Sequence, residues 1–131
     1  MIRIKICGLT DPDNAGIIAD LKPDYLGFIF YKGSPRFIGT APDVNLFTIV
    51  PEGIKKTGVF VNETYDRIVR CAEKYSLDFI QLHGKESPEL CRKVQNSGKG
   101  VIKAIPVSQP SDFDFCKPYT NCCDYFLFDT R

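Results

Sequence analysis

The chain has 131 residues, 44% of them hydrophobic and 25% charged, with a formal net charge of +1. That length suits a single domain over residues 1–131, expected to bury roughly 65–70% of its unfolded surface. The near-neutral balance gives no electrostatic footprint for nucleic acid or an anionic membrane, and no apolar run approaches the ~18 residues of a spanning helix.

Because the chain opens directly on a strand pattern, the cytoplasm is the expected compartment. The six cysteines are Cys7, Cys71, Cys91, Cys116, Cys122 and Cys123. They contain no C-x-x-C pair, and the one histidine, His83, leaves a zinc site short of ligands. Neither disulfides nor a metal centre is expected.

Ile2, Ile4 and Ile6 alternate with Arg3, Lys5 and Cys7, the period of a two-faced strand. Asp11-Pro12 then reads as a helix cap with proline in the first turn, and the helix runs from Asp13 to Leu21 before Lys22-Pro23 stops it. Asp24 to Tyr31 is nearly all apolar, as a strand covered on both faces should be. Lys32 to Arg36 is a polar loop, and Phe37 to Lys56, broken by Pro42 and Pro51, reads as a short helix or irregular crossover. Thr57–Val61 is a third strand, Glu63–Tyr75 a helix, and Leu77–Leu82 a fourth strand ended by His83-Gly84. Glu86–Asn96 is a helix and Val101–Ile105 a fifth strand closed by Pro106. Ser111–Tyr119 is a weaker helix limited by Pro118, and Asp124–Phe128 is a sixth strand. This alternation predicts right-handed βαβ units and a parallel sheet, either a barrel or an open doubly wound sheet.

In such folds ligands bind at the carboxyl ends of the strands. Cys7 occupies that position on the polar face of the first strand, with Gly8 next to it. Lys5 is on the same face, about 6.5–7 Å away along a strand, where an ammonium favours a thiolate. Asp129 mirrors Cys7 at the end of the sixth strand, on the face of Tyr125 and Leu127, so the pair can supply one acid and one base. Arg36, in the loop after the second strand, can clamp a carboxylate bidentately. Gln81 and His83 share a face of the fourth strand. The glycines form neither a G-x-G-x-x-G motif nor a P-loop.

Lys5-Ile6-Cys7-Gly8-Leu9-Thr10 resembles the N-terminal signature of the phosphoribosylanthranilate isomerase family. Gly27-Phe28-Ile29-Phe30, Ser34-Pro35-Arg36 and Gly58-Val59-Phe60-Val61-Asn62 follow in the family's order. Gln81-Leu82-His83-Gly84, Val101-Ile102-Lys103-Ala104-Ile105 and Phe128-Asp129-Thr130 complete the match. The resemblance implies an α/β fold of the (β/α)8 TIM-barrel type and a cofactor-free Amadori rearrangement in tryptophan biosynthesis. Its substrate would be N-(5-phosphoribosyl)anthranilate and its product 1-(2-carboxyphenylamino)-1-deoxyribulose 5-phosphate. By resemblance Asp129 is the general acid and Cys7 the general base, Arg36 meets the anthranilate carboxylate, and Gln81 and His83 line the substrate pocket.

TIM barrels generally run to about 200 residues or more, so six strands correspond to an incomplete, C-terminally truncated barrel. The family's glycine-rich segment after the aspartate and its phosphate-holding loops are not among these residues. The first and sixth strands are then open edges, which a longer gene product or a second copy of the chain would cover. No nucleic acid or membrane partner is expected. Two other readings predict different outcomes: a catalytically silent barrel fragment lacking the phosphate loops, and a flavodoxin-like binding domain with an open sheet.

Overall fold

The computed structural model describes residues 1–130. Its elements are β1 Lys5–Cys7, α1 Pro12–Asp20, β2 Tyr25–Ile29, α2 Asn45–Thr48, β3 Lys55–Phe60 and α3 Tyr65–Lys74. There follow β4 Phe79–Leu82, α4 Pro88–Asn96, β5 Gly100–Val107, a 3₁₀ segment Pro110–Tyr119 and β6 Tyr125–Thr130. Helix starts obey local chemistry: Asp11, Thr64 and Ser87 are extended and their side chains accept from the backbone N–H groups of Asn14, Arg67 and Leu90. Among the described residues no helix is long and apolar enough to cross a membrane.

All six strands are parallel and lie in chain order, β1-β2-β3-β4-β5-β6. A doubly wound sheet reverses its order at a switch point, whereas a barrel adds each strand beside the last, so the flavodoxin-like reading is excluded. The sheet is curled. The Arg3 guanidinium reaches the hydroxyls of both Tyr25 on β2 and Tyr125 on β6, which a flat six-stranded sheet would hold far apart.

A repeated dipeptide organises the amino ends of alternate strands. Asp24-Tyr25, Asp78-Phe79 and Asp124-Tyr125 open β2, β4 and β6. Each aspartate accepts a hydrogen bond from a backbone N–H in the preceding strand or just before it: Ile4 N at 2.7 Å, Lys56 N at 2.8 Å and Val101 N at 2.7 Å. The three aromatics meet inside the arc, with Tyr25 edge-on to Phe79 at 5.3 Å between centroids and Phe79 tilted against Tyr125 at 6.0 Å. Side chains from alternate strands thus fill one interior layer, as in closed barrels. On the outer face the helices bury a second aromatic set, in which Phe30 stacks on Phe60 at 4.9 Å and Phe47 on Tyr75 at 4.5 Å.

Three elements differ from the sequence reading. The alternating Ile2–Cys7 stretch forms a strand only over Lys5–Cys7, and Ile2 and Ile4 are 89% and 56% exposed because nothing among the described residues packs on them. β5 continues through Pro106 to Val107. The pairing of β5 with β4 ends at Leu82↔Lys103, so the N–H that Pro106 lacks has no acceptor waiting on that side. The segment before β6 is 3₁₀ rather than α-helical, since Pro118 cannot sit inside an α-helical ladder.

Behind the carboxyl end of β4 lies a buried ion pair. Lys103 Nζ is 3.1 Å from Glu86 Oε2 and also donates to the carbonyls of Leu82 and Gly84. Glu86 in turn accepts from Asn62 N and Gly84 N, and its own carbonyl receives the Tyr119 hydroxyl at 2.7 Å. The pair therefore fixes the loop that follows His83. Lys103→Met leaves the buried carboxylate without its cation and should cost about 3–5 kcal/mol. Urea unfolding should show this as a lower midpoint with an unchanged slope.

Candidate active site

Parallel strands place all their carboxyl ends on one rim, and the polar residues singled out from the sequence gather there. Cys7 ends β1, and its thiol lies over Gly27 of the neighbouring strand, where a Cβ would come within 2.6 Å of Sγ. Only glycine leaves the thiol that space. Gly8, at φ +91°, turns the chain away from the strand, and a Cβ there would fall 2.6 Å from Arg36 Cδ. Arg36 exploits the opening: its Nη1 donates to the Cys7 carbonyl at 2.9 Å, so the loop after β2 is pinned beside the thiol. That bond uses one of five guanidinium donors, leaving others available to an anion.

A second polar group crosses the hollow of the arc. Lys5 Nζ, on β1, donates to Gln81 Oε1 on β4. Gln81 Nε2 is 2.9 Å from His83 Nδ1, and His83 Nε2 is 3.0 Å from Asp129 Oδ2 on β6. Gln81 and Lys5 lie inside, His83 is half-buried, and the Asp129 side chain is 52% exposed at the rim. Burial pulls the Lys5 pKa below its ordinary value, and the Cys7 charge partly restores it. A cavity of about 260 Å³ opens beside His83 and Asp129, with Asn62, Lys85 and Pro106 on its walls.

The remaining thiols have a different character. Burial, with the neighbouring Cys122 adding to it, drives Cys91 up to about 12 and Cys123 up to about 11, and burial also raises Cys71 and Cys116. All six cysteines are free.

The sequence-derived candidates are thus placed as follows. Cys7 and Asp129 occupy the rim from the two edge strands, and no hydrogen bond joins them among the described residues. Arg36 adjoins Cys7, while Gln81 and His83 connect to Asp129. Lys5 keeps Cys7 as a charged neighbour, and its ammonium is also hydrogen-bonded to Gln81 across the arc, a contact that spacing along β1 does not announce. The sequence reading missed Lys85 and Asn62 at the cavity and the Lys103–Glu86 pair beneath it. A lysine within the apolar run Val101–Ile105 was the available signal for that pair.

The comparisons with known proteins agree with this fold. The family model described as N-(5'phosphoribosyl)anthranilate (PRA) isomerase matches residues 4–131. The N-(5'-phosphoribosyl)anthranilate isomerase of Phocaeicola vulgatus is 42% identical over 97% of this chain, and that of Parabacteroides distasonis is 43% identical over 98%. This chain spans 60% and 58% of their respective lengths. The crystal structure of phosphoribosyl anthranilate isomerase from Thermotoga maritima superposes with a TM-score of 0.88 at 35% identity, covering 100% of this chain and 62% of that one. A phosphoribosyl anthranilate isomerase in complex with reduced 1-(o-carboxyphenylamino)-1-deoxyribulose 5-phosphate also superposes at 0.88, with 35% identity, 100% of this chain and 66% of that one covered. With its motifs in the same order, its strands in barrel order and the family model matched across the sheet, the chain belongs to the N-(5'-phosphoribosyl)anthranilate isomerase family.

Proposed function

We propose that this chain carries the acid, the base and the carboxylate-binding arginine of an isomerase that converts N-(5-phosphoribosyl)anthranilate to 1-(2-carboxyphenylamino)-1-deoxyribulose 5-phosphate. The reading rests chiefly on one observation: Cys7 and Asp129 stand on the same rim of the arc but on its two edge strands, with no bond between them. An acid and a base that must reach different atoms of one sugar need such a separation.

In this reading Asp129 gives its proton to the ribose ring oxygen, the C1–O bond breaks, and the anilino nitrogen lone pair forms the Schiff base. Cys7, as thiolate, removes the proton from C2, and the electron pair moves to the C1–C2 bond as the imine is neutralised. The resulting enolamine becomes the ketone as C1 takes up a proton and the C2 hydroxyl gives one up. Arg36 offers its unused donors to the anthranilate carboxylate. No cofactor takes part. The phosphate of the substrate needs donors such as helix N-terminal N–H groups.

The cytoplasm is the proposed compartment, in keeping with six free cysteines in a reducing environment. We also assign the open edges to contact between copies. Ile2 and Ile4 flank β1, and Phe113 and Phe128 pack edge-on beside β6, all at least 48% exposed. Light scattering of the purified chain should report a mass above that of the monomer, and a monodisperse monomer would remove this assignment.

Turnover is tested by the loss of anthranilate fluorescence, using this chain and the same chain joined to the C-terminal segment of a relative. Cys7→Ala and Asp129→Asn should each lower kcat/KM by roughly 10²–10⁴ in the active form. Arg36→Met should raise KM more than it lowers kcat. A Cys7→Ala protein with a near-normal rate would end the thiol-base assignment. Gly27→Ala, which drives a methyl into the thiol, should disturb activity and Cys7 alkylation together.

A further inference from the structure

We propose that Lys5 is a positioning residue that sets the tautomer of His83 and so commits one oxygen of Asp129. The catalytic meaning of this proposal rests on Asp129 being the general acid, whereas the tautomer itself does not.

Donors and acceptors are matched in one direction along the polar chain. A lysine ammonium has three donors and no acceptor, so the amide end facing it must be the oxygen. Lys5 Nζ does face Gln81 Oε1. The Gln81 nitrogen is then the end that meets His83 Nδ1, at 2.9 Å. An amide NH₂ only donates, so Nδ1 must present its lone pair. A neutral imidazole with a bare Nδ1 carries its hydrogen on Nε2, and Nε2 is 3.0 Å from Asp129 Oδ2. The chain has one polarity: Lys5 to Gln81 to His83 to Asp129.

The opposite polarity is equally self-consistent and is the state that Lys5 prevents. With Gln81 turned over, its oxygen would accept from a hydrogen on Nδ1, and a bare Nε2 would face Asp129. That lone pair would accept the acid proton of Asp129 and hold it away from the substrate. With Lys5 charged, turning Gln81 over would set NH₂ against ammonium. Gln81 is buried, with 3% of its surface exposed, so water does not readily replace either bond. The groups around Lys5 do not offer Gln81 another cation: Cys7 is beside it on β1, while Tyr25, Ile102, Tyr125 and Leu127 surround the hollow. Arg3 is bound to the two tyrosine hydroxyls instead.

Two consequences follow for the acid. Oδ2 of Asp129 accepts from His83, so the transferable proton belongs on Oδ1, the oxygen free to face the sugar ring. When that proton leaves, the His83 N–H already points at the carboxylate that forms, and no group has to reorient during the step.

His83 is the only histidine in the sequence, which makes the tautomer directly readable. In the 131-residue chain labelled with ¹⁵N-histidine, long-range ¹H–¹⁵N correlation should show a protonated Nε2 and a bare Nδ1. Lys5→Met should replace this by a mixture or by the Nδ1–H form, and Lys5→Arg should restore Nε2–H. Gln81→Glu, whose two oxygens can accept from both sides, should put a proton on Nδ1. A native protein with Nδ1–H would overturn the proposal, as would an unchanged signal in folded Lys5→Met or a bare Nδ1 in Gln81→Glu. Should Lys5→Met fail to fold, the native spectrum and Gln81→Glu decide. In the active form, Lys5→Met should lower kcat by about tenfold or more with KM little changed. The expected tautomers together with a normal rate for Asp129→Asn would remove the acid assignment and leave the relay standing.

Discussion

Asp24, Asp78 and Asp124 each hold a carboxylate on a backbone N–H at the start of the preceding strand or just before it, and these bonds tie β1 to β2, β3 to β4 and β5 to β6. The site depends on the register they maintain. Side chains alternate between the two faces of a strand, so a slip of one residue would send Gln81 to the helix side and bring Leu82 into the hollow. The same slip at β1 would turn Cys7 and Lys5 away together. Hydrogen bonds to ionised acceptors contribute more than neutral ones, and three at the amino ends fix what is displayed at the other end of the sheet. The placement of side chains at the rim is thus secured about a strand's length away from it.

Above that base the interior changes character along the strands. The Tyr25, Phe79 and Tyr125 rings close the lower end, Lys5 and Gln81 form a polar layer above them, and His83 and Asp129 meet solvent at the top. A half-buried ammonium so placed is costly unless its donors are satisfied. Gln81 supplies the acceptor, and the need for it explains why an amide, rather than another aliphatic residue, occupies the middle of β4. On the other side of the sheet the Lys103–Glu86 pair holds the loop that carries the chain away from His83. The two lysines thus serve opposite faces of the sheet, one toward the hollow and one toward the helices.

Much of this was legible in the sequence, and the exceptions have physical causes. Alternation and strand ends were enough to place Cys7 and Asp129 on a common rim, because both depend only on period and direction. The parallel sheet followed from the order of elements, although distinguishing a barrel from an open sheet required strand order. Lys5–Gln81 was not legible: it joins residues 76 apart across the hollow, and sheet curvature leaves no local pattern. The exposure of Ile2 and Ile4 has a related cause, since an apolar period reports a face suited to burial without supplying what covers it. The Asp–aromatic repeat was present in the sequence but is conspicuous only when β2, β4 and β6 are compared with one another.

The sequential order of the strands also bears on how the chain is made. Among the described residues each ladder joins a strand to the one synthesised just before it, so every pairing there closes over a single helical crossover. A nascent chain can therefore add one strand and one helix at a time to a growing arc, amino end first. Lys5 is made early and stays without its acceptor until β4 has emerged, and the last link to Asp129 forms only with β6. The hollow is assembled strand by strand, while its chain of protons is completed at the end.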